Sequence, residues 1–255
     1  MVATFVPPAE STLFCTANQL NHFRYMNKFL SSSIGKKTVM ALSGLFLILF
    51  LLEHLYTNVT LFFGDGGVEF NETSHSMVRM IIIRIIEIVL FLAIIVHVAQ
   101  AIMLTRDNAK ARPVKYAVNG VGQTSPWISR NMGLTGSIIF FFIVVHLYNF
   151  FVPYRVTGTV GTEGQLTLAQ SVAEALANPY YAGLYLLSVI VLAFHLSHGL
   201  RSAFHTLGLN NKKYTPVLKM AATGLAFLFG IGFGSFPILF YGAHVMGKDL
   251  LNWAM

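Results

Sequence analysis

Five apolar stretches, at about 38–62, 79–104, 131–152, 180–205 and 216–242, run through this sequence and limit what it can become. At about 1.5 Å of rise per residue, each is long enough to cross the roughly 30 Å hydrocarbon core of a bilayer as a helix. Only 11% of the 255 residues are charged, where a soluble domain carries about 25%. The expected fold is therefore all-α: a polytopic membrane protein with five transmembrane helices.

The net charge of +7 is distributed by loop. Arg24, Lys28, Lys36 and Lys37 precede the first span. Arg106, Lys110, Arg112, Lys115 and Arg130 lie between the second and third, and Arg201, Lys212, Lys213 and Lys219 between the fourth and fifth. The alternate segments carry Asp65, Glu69, Glu72, Glu163, Glu174 and Asp249 instead. Short loops rich in Lys and Arg stay on the cytoplasmic side. This places the N-terminus inside and the C-terminus outside, in a cell inner (cytoplasmic) membrane.

Residues 1–25 contain Pro7-Pro8 and no continuous apolar run. They read as an N-terminal cytoplasmic extension rather than a cleaved signal peptide, with the five-helix membrane domain over 26–255. One cysteine, Cys15, excludes internal disulfides, a Cys-ligated iron–sulfur cluster and C-x-x-C-H haem attachment.

An internal repeat directs attention to histidine. Ser43-Gly44, nine residues, then His54-Leu55-Tyr56 in the first span is matched by Thr135-Gly136, nine residues, then His146-Leu147-Tyr148 in the third. His97-Val98-Ala99-Gln100-Ala101-Ile102 in the second resembles His195-Leu196-Ser197-His198-Gly199-Leu200 in the fourth. Relative to the span centres, His54 and His146 fall about 6–7 Å outward and His97 and His195 roughly 4–8 Å inward. Four histidines thus form two layers of two, each layer drawn from two helices. One intramembrane histidine is readily explained as a bonded polar group, although such residues are functional candidates by default. Two level pairs match instead the axial ligands of two noncovalent haems b, since a haem iron takes one nitrogen on each face. Zinc would need ligands converging on one point. The expected pairs are His54 with His146 (outer) and His97 with His195 (inner). Four spans then form a haem-binding bundle, with irons separated vertically by roughly 10–15 Å.

Other residues have candidate roles around these layers. Gly44 and Gly136 lie about 8–9 Å inward, level with the inner haem, where glycine admits close approach to the macrocycle; a small-residue helix contact is the alternative. His198 rivals His195 by depth, and with Arg201 forms an inner polar face suited to a propionate or a partner. Arg84 and Glu87 are spaced to pair on one helix, and Arg84 is also a candidate propionate contact. Glu53, directly before His54, and Glu87 are acids within the spans, costly in hydrocarbon and candidates for a proton path. The fifth span lacks histidine and is expected to flank the bundle, packing closely and kinking through Gly230-x-Gly232-x-Gly234-x-x-Pro237. Thr167-Leu-Ala-Gln170 is a capping-box pattern that predicts a surface helix at about 167–178. His22, His75 and His244 lie outside the spans.

The segment Ser32-Ser33-Ile34-Gly35-Lys36-Lys37 leading to Ser43-Gly44-Leu45-Phe46-Leu47 and His54 resembles the diheme cytochrome b subunits of succinate dehydrogenases and fumarate reductases. Val145-His146-Leu147-Tyr148 and Phe194-His195-x-x-x-Gly199-Leu200 extend the resemblance over about 26–246; residues 1–25 depart from it. The resemblance implies the same four axial histidines. It also implies a flavoprotein subunit with FAD and an iron–sulfur subunit on the cytoplasmic side, and a quinone, more often menaquinone than ubiquinone. Electrons from succinate would pass through the partner clusters, the inner haem and the outer haem to quinone, or in reverse for fumarate reduction. Two alternatives stay open: a diheme anchor of another quinone-linked enzyme, such as a hydrogenase or formate dehydrogenase, and a haem-free transporter.

Overall fold

The computed structural model describes residues 28–111, 127–162 and 164–252, so the extension at 1–25, Cys15 and His22 lie outside the described residues. After a first turn at 28–31, α1 runs Ser33–Val59 and tightens into a 3-10 turn, Thr60–Phe62. Then come α2 (Val68–Arg79), α3 (Ile81–Lys110) and a single turn, Trp127–Arg130. α4 (Met132–His146) continues as a π-helical segment, Leu147–Val156. α5 (Leu168–Ala177), α6 (Pro179–Thr206) and α7 (Thr215–Val245) complete the chain. Five of these helical runs are long and apolar enough to cross a membrane: 33–62, 81–110, 132–156, 179–206 and 215–245. Among the described residues there is no strand.

The helices overrun the apolar stretches, most clearly at Ser33 and Lys110, because a helix continues past the point where hydrocarbon ends. At the N-terminal end of α1, Ser32 accepts a hydrogen bond from the Gly35 N–H (3.0 Å) and caps the helix. A Cβ on Gly35 would come within 2.0 Å of the Phe29 carbonyl oxygen. Glycine therefore lets the first turn fold back over the helix start. Lys36 then reaches Asp107 near the C-terminal end of α3 (2.6 Å).

Apolar faces point outward, as lipid solvation requires. No residue of α3 is buried, and Ile81, Ile85, Ile88, Leu92 and Ile95 form an exposed stripe at helical spacing along it. α1 packs against α3 and α6, α4 packs against α6 and more lightly against α3, and α7 lies mainly on α6. The four histidine-bearing helices thus stand in a ring ordered α1–α3–α4–α6, with the diagonals α1/α4 and α3/α6 left across its middle. α7 flanks this ring. A Cβ on Gly232 would stand 2.8 Å from Leu55, and one on Gly230 would stand 3.2 Å from Ala193, so the glycine run does provide close packing; α7 is continuous through Pro237.

Two short helices close the outer end. Thr167 caps α5 in a reciprocal box with Gln170, where the sequence pattern puts it. α2 has no counterpart in the sequence reading, being too short and polar to show an apolar period. The Asp65 carboxylate starts it, accepting backbone N–H bonds from Glu69 (2.9 Å), Gly67 (2.9 Å) and Val68 (3.1 Å). These donors, Glu69 foremost, hold the Asp65 carboxyl below the usual carboxylate range. The Asn71 side chain accepts from the Ala169 N–H (3.0 Å), and the Gly66 N–H donates to the Leu251 carbonyl (2.8 Å). Leu61, Phe70, Ala169, Val172, Leu176 and Leu251 are buried beneath this cap.

Candidate functional site

The ring order places four histidines in two facing pairs. His54 on α1 and His146 on α4 have ring centres 5.7 Å apart; His97 on α3 and His195 on α6 have theirs 6.5 Å apart. Each pair spans one diagonal of the helix ring. Rings that ligate one metal from opposite faces through bonds of about 2 Å stand about 6 Å apart, centre to centre. Both spacings fit that demand. One buried polar atom, Gln100 Oε1, also has no hydrogen-bond partner among the described residues. It follows His97 by about one helical turn, and a buried polar atom without a protein partner leaves a place for water or a bound group. The residues present therefore fit a haem in each layer. Among the described residues no three His, Cys, Asp or Glu side chains converge on one point.

The pairs differ in their surroundings. At the inner pair, Ser43 Oγ lies 3.1 Å from His97 Nδ1, and Thr135 Oγ1 lies 3.1 Å from His195 Nδ1. Each hydroxyl also donates to the carbonyl three residues earlier, that of Met40 or Met132, at 3.1 Å. A hydroxyl has one hydrogen, so once that is given to the carbonyl the oxygen must accept from the ring. This hydrogen-bond accounting assigns the ring hydrogen to Nδ1 and leaves both Nε2 lone pairs free. Gly44 and Gly136 follow these hydroxyls. A Cβ at Gly44 would meet His97 Cε1 at 3.2 Å, and one at Gly136 would meet His195 Cε1 at 3.6 Å. Both glycines are level with the inner pair, and their close approach is to the histidine rings themselves.

The outer pair sits among aromatic rings: Phe50 stacks on His54 at 5.3 Å, Phe233 lies 5.7 Å away, and Phe142, Phe150 and Tyr185 surround His146. Its polar contacts are longer. Asn58 Nδ2 and Tyr185 Oη each lie 3.4 Å from an Nδ1, of His54 and His146 respectively. The Asn58 amide makes its short bond to the His54 carbonyl instead (2.6 Å).

The remaining candidates are dispersed. His195 faces His97, while His198 has no ring partner. Arg201 is exposed and donates to Thr223 on α7, turned toward the flanking helix. Glu53 is exposed and accepts from the Thr57 hydroxyl (2.9 Å). The expected Arg84–Glu87 pair does not form: Glu87 binds Arg155 of the π-helical segment at 2.6 Å. Arg84 is exposed beside Ile81 and Ile88 on the outward stripe of α3, so the helix surface that carries it faces away from its i+3 neighbour's partner. Arg155, Asn58 and Tyr185 were not singled out in the sequence. Arg155 had a legible signal, a lone cation at the outer end of a span; the other two had none. Ser43 and Thr135 were visible as the repeat, without their contact to histidine.

Residues 108–232 match a protein family described as the succinate dehydrogenase/fumarate reductase transmembrane subunit. The chain is also similar to the succinate dehydrogenase cytochrome b558 subunit of Bacillus subtilis (strain 168), with 27% identity over 165 residues, 63% of this chain and 73% of that one. No solved structure matches the chain. The family match covers His146 and His195; the internal repeat carries the same pattern onto His54 and His97.

Proposed function

We propose that this chain, similar over residues 108–232 to the succinate dehydrogenase/fumarate reductase transmembrane subunits and over 165 residues to a succinate dehydrogenase cytochrome b558 subunit, is a cytochrome b membrane subunit of that family and carries electrons between a partner iron–sulfur subunit and membrane quinone through two haems b. His54 and His146 would hold the outer haem, and His97 and His195 the inner one. The observation that carries this reading is the pair of facing imidazole contacts across the two diagonals of one helix ring. Haem, when bound, supplies one-electron chemistry at a potential set by its ligands and their hydrogen bonds.

The chain's own residues do the rest. Ser43 and Thr135 orient the inner imidazoles, while Phe50, Phe142, Phe150, Tyr185 and Phe233 exclude water from the outer ones. Quinone reduction takes up two protons with two electrons. Glu53 and Glu87 are the carboxylates in the outer half that would hold those protons, and Arg155 orients Glu87. The inner end, with Lys28, Lys36, Lys37, Lys212, Lys213 and Lys219, is the side proposed to face the cytoplasm and the flavoprotein and iron–sulfur partners, which hold FAD and the clusters. Menaquinone is the proposed quinone. A pyridine haemochrome assay on the purified complex should find about two noncovalent haems b per chain, one for each axial pair. Finding none, or a covalently attached one, overturns the reading.

A further inference from the structure

We infer that Ser43 and Thr135 are positioning residues that lock the inner histidines in one tautomer and tune the inner haem alone; the inference rests on the two-haem reading above. Two observations meet here. Each hydroxyl is 3.1 Å from an Nδ1, and each has already given its hydrogen to a carbonyl. Toward the rings the hydroxyls are left to accept, which assigns the hydrogen of His97 and His195 to Nδ1 and leaves Nε2 free for a ligand. Thr135 is itself buried, 4% exposed, so water does not substitute for the contact.

The arrangement is repeated by structure as well as by sequence. Ser43 on α1 reaches His97 on the adjacent α3, and Thr135 on α4 reaches His195 on the adjacent α6. Each half of the bundle is thus a bracket in which one helix supplies hydroxyl and glycine and its neighbour supplies the histidine. The two brackets face each other. An acceptor for the N–H of a histidine's second nitrogen fixes ring orientation and raises the basicity of the ligating one. A more basic ligand favours the oxidised iron, so these hydroxyls hold the inner potential down. The outer pair has no counterpart, because its Nδ1 contacts, to the Asn58 amide nitrogen and the Tyr185 hydroxyl, are 3.4 Å long.

The test is a spectroelectrochemical titration of the intact complex bearing Ser43→Ala, Thr135→Val, Thr135→Ser or Ser43→Thr. The first two should raise the midpoint potential of one haem and leave the other in place, and the double variant should raise it further. Thr135→Ser and Ser43→Thr keep a hydroxyl and should return the potential to that of the wild type. Should Thr135→Val lose the inner haem outright, Thr135→Ser must retain it. Unchanged potentials in Ser43→Ala and Thr135→Val, equal shifts of both haems, or hydroxyl-bearing variants no better than the hydroxyl-free ones overturn the inference. A wild-type complex without two haems would instead overturn the reading beneath it.

Discussion

The inner and outer histidine pairs share one architecture and differ in what surrounds it. The inner rings are held by 3.1 Å hydrogen bonds to hydroxyls on neighbouring helices, with Gly44 leaving room where a Cβ would stand 3.2 Å from His97. The outer rings are held by five aromatic side chains, and their polar contacts are long. Hydrogen bonds fix direction and tautomer, whereas aromatic packing fixes position and leaves the proton free. The inner pair is therefore determined by polar contacts, and the outer pair by the shape of its cage.

The largest effect should come from removing a ring. His54→Ala or His146→Ala is expected to lose the outer haem and His97→Ala or His195→Ala the inner one, each halving haem content to about one per chain, since one axial pair serves each. Haemochrome analysis with low-temperature spectra checks which layer is gone. If one substitution abolishes both haems while the protein still inserts, the layers are not independent.

Next in size is the chemistry beside the outer pair. With haem content and succinate oxidation by an artificial acceptor unchanged, Glu53→Gln or Glu87→Gln should lower quinone-linked turnover by about a hundredfold, the lower end of what a proton-transfer group contributes. Survival of turnover in both, with collapse in His198→Ala or Arg201→Ala, would move the quinone to the inner side.

Glycine substitutions separate the two brackets of the inner pair. Gly44→Ala puts a methyl 3.2 Å from His97 Cε1, tighter than ordinary contact, and should shift the inner haem spectrum. Gly136→Ala meets His195 at 3.6 Å, an ordinary contact, and should leave the spectrum as in the wild type. Tyr185→Phe keeps the outer cage and removes only a 3.4 Å contact. It should move the outer potential by less than Ser43→Ala moves the inner one.

The smallest effect concerns the outer cap. The carboxyl of Asp65 titrates lower in the folded chain than in the unfolded one, with the Glu69 N–H bond the main cause. Its stabilising contribution is complete above the ordinary value of about 4 and is lost as pH falls through the lower folded value. Hydrogen exchange of α2 should therefore stay unchanged between pH 7 and 5 once corrected for intrinsic rate, and Asp65→Asn should reproduce at pH 7 what only stronger acid does to the wild type.

Much of this molecule is written in one dimension. Apolar length fixes the five spans, and alternation of direction along the chain fixes the depth of each histidine, which is why the pairs His54/His146 and His97/His195 can be named without coordinates. Thr167 and Gln170 likewise announce α5, because a capping box is complete within four residues. What the sequence leaves open depends on which helices are neighbours and which way each is turned. The i+3 spacing of Arg84 and Glu87 suits a pair, yet rotation of α3 exposes Arg84 and turns Glu87 to Arg155, 68 residues away. The repeat of Ser43-Gly44 and Thr135-Gly136 is plain in the sequence, but only the ring order α1–α3–α4–α6 sets each hydroxyl against a histidine of the adjacent helix. Depth is inherited from chain length, at a constant rise per residue. Azimuth is decided by packing, since a helix buried in lipid is apolar on every side and its sequence does not say which face turns inward.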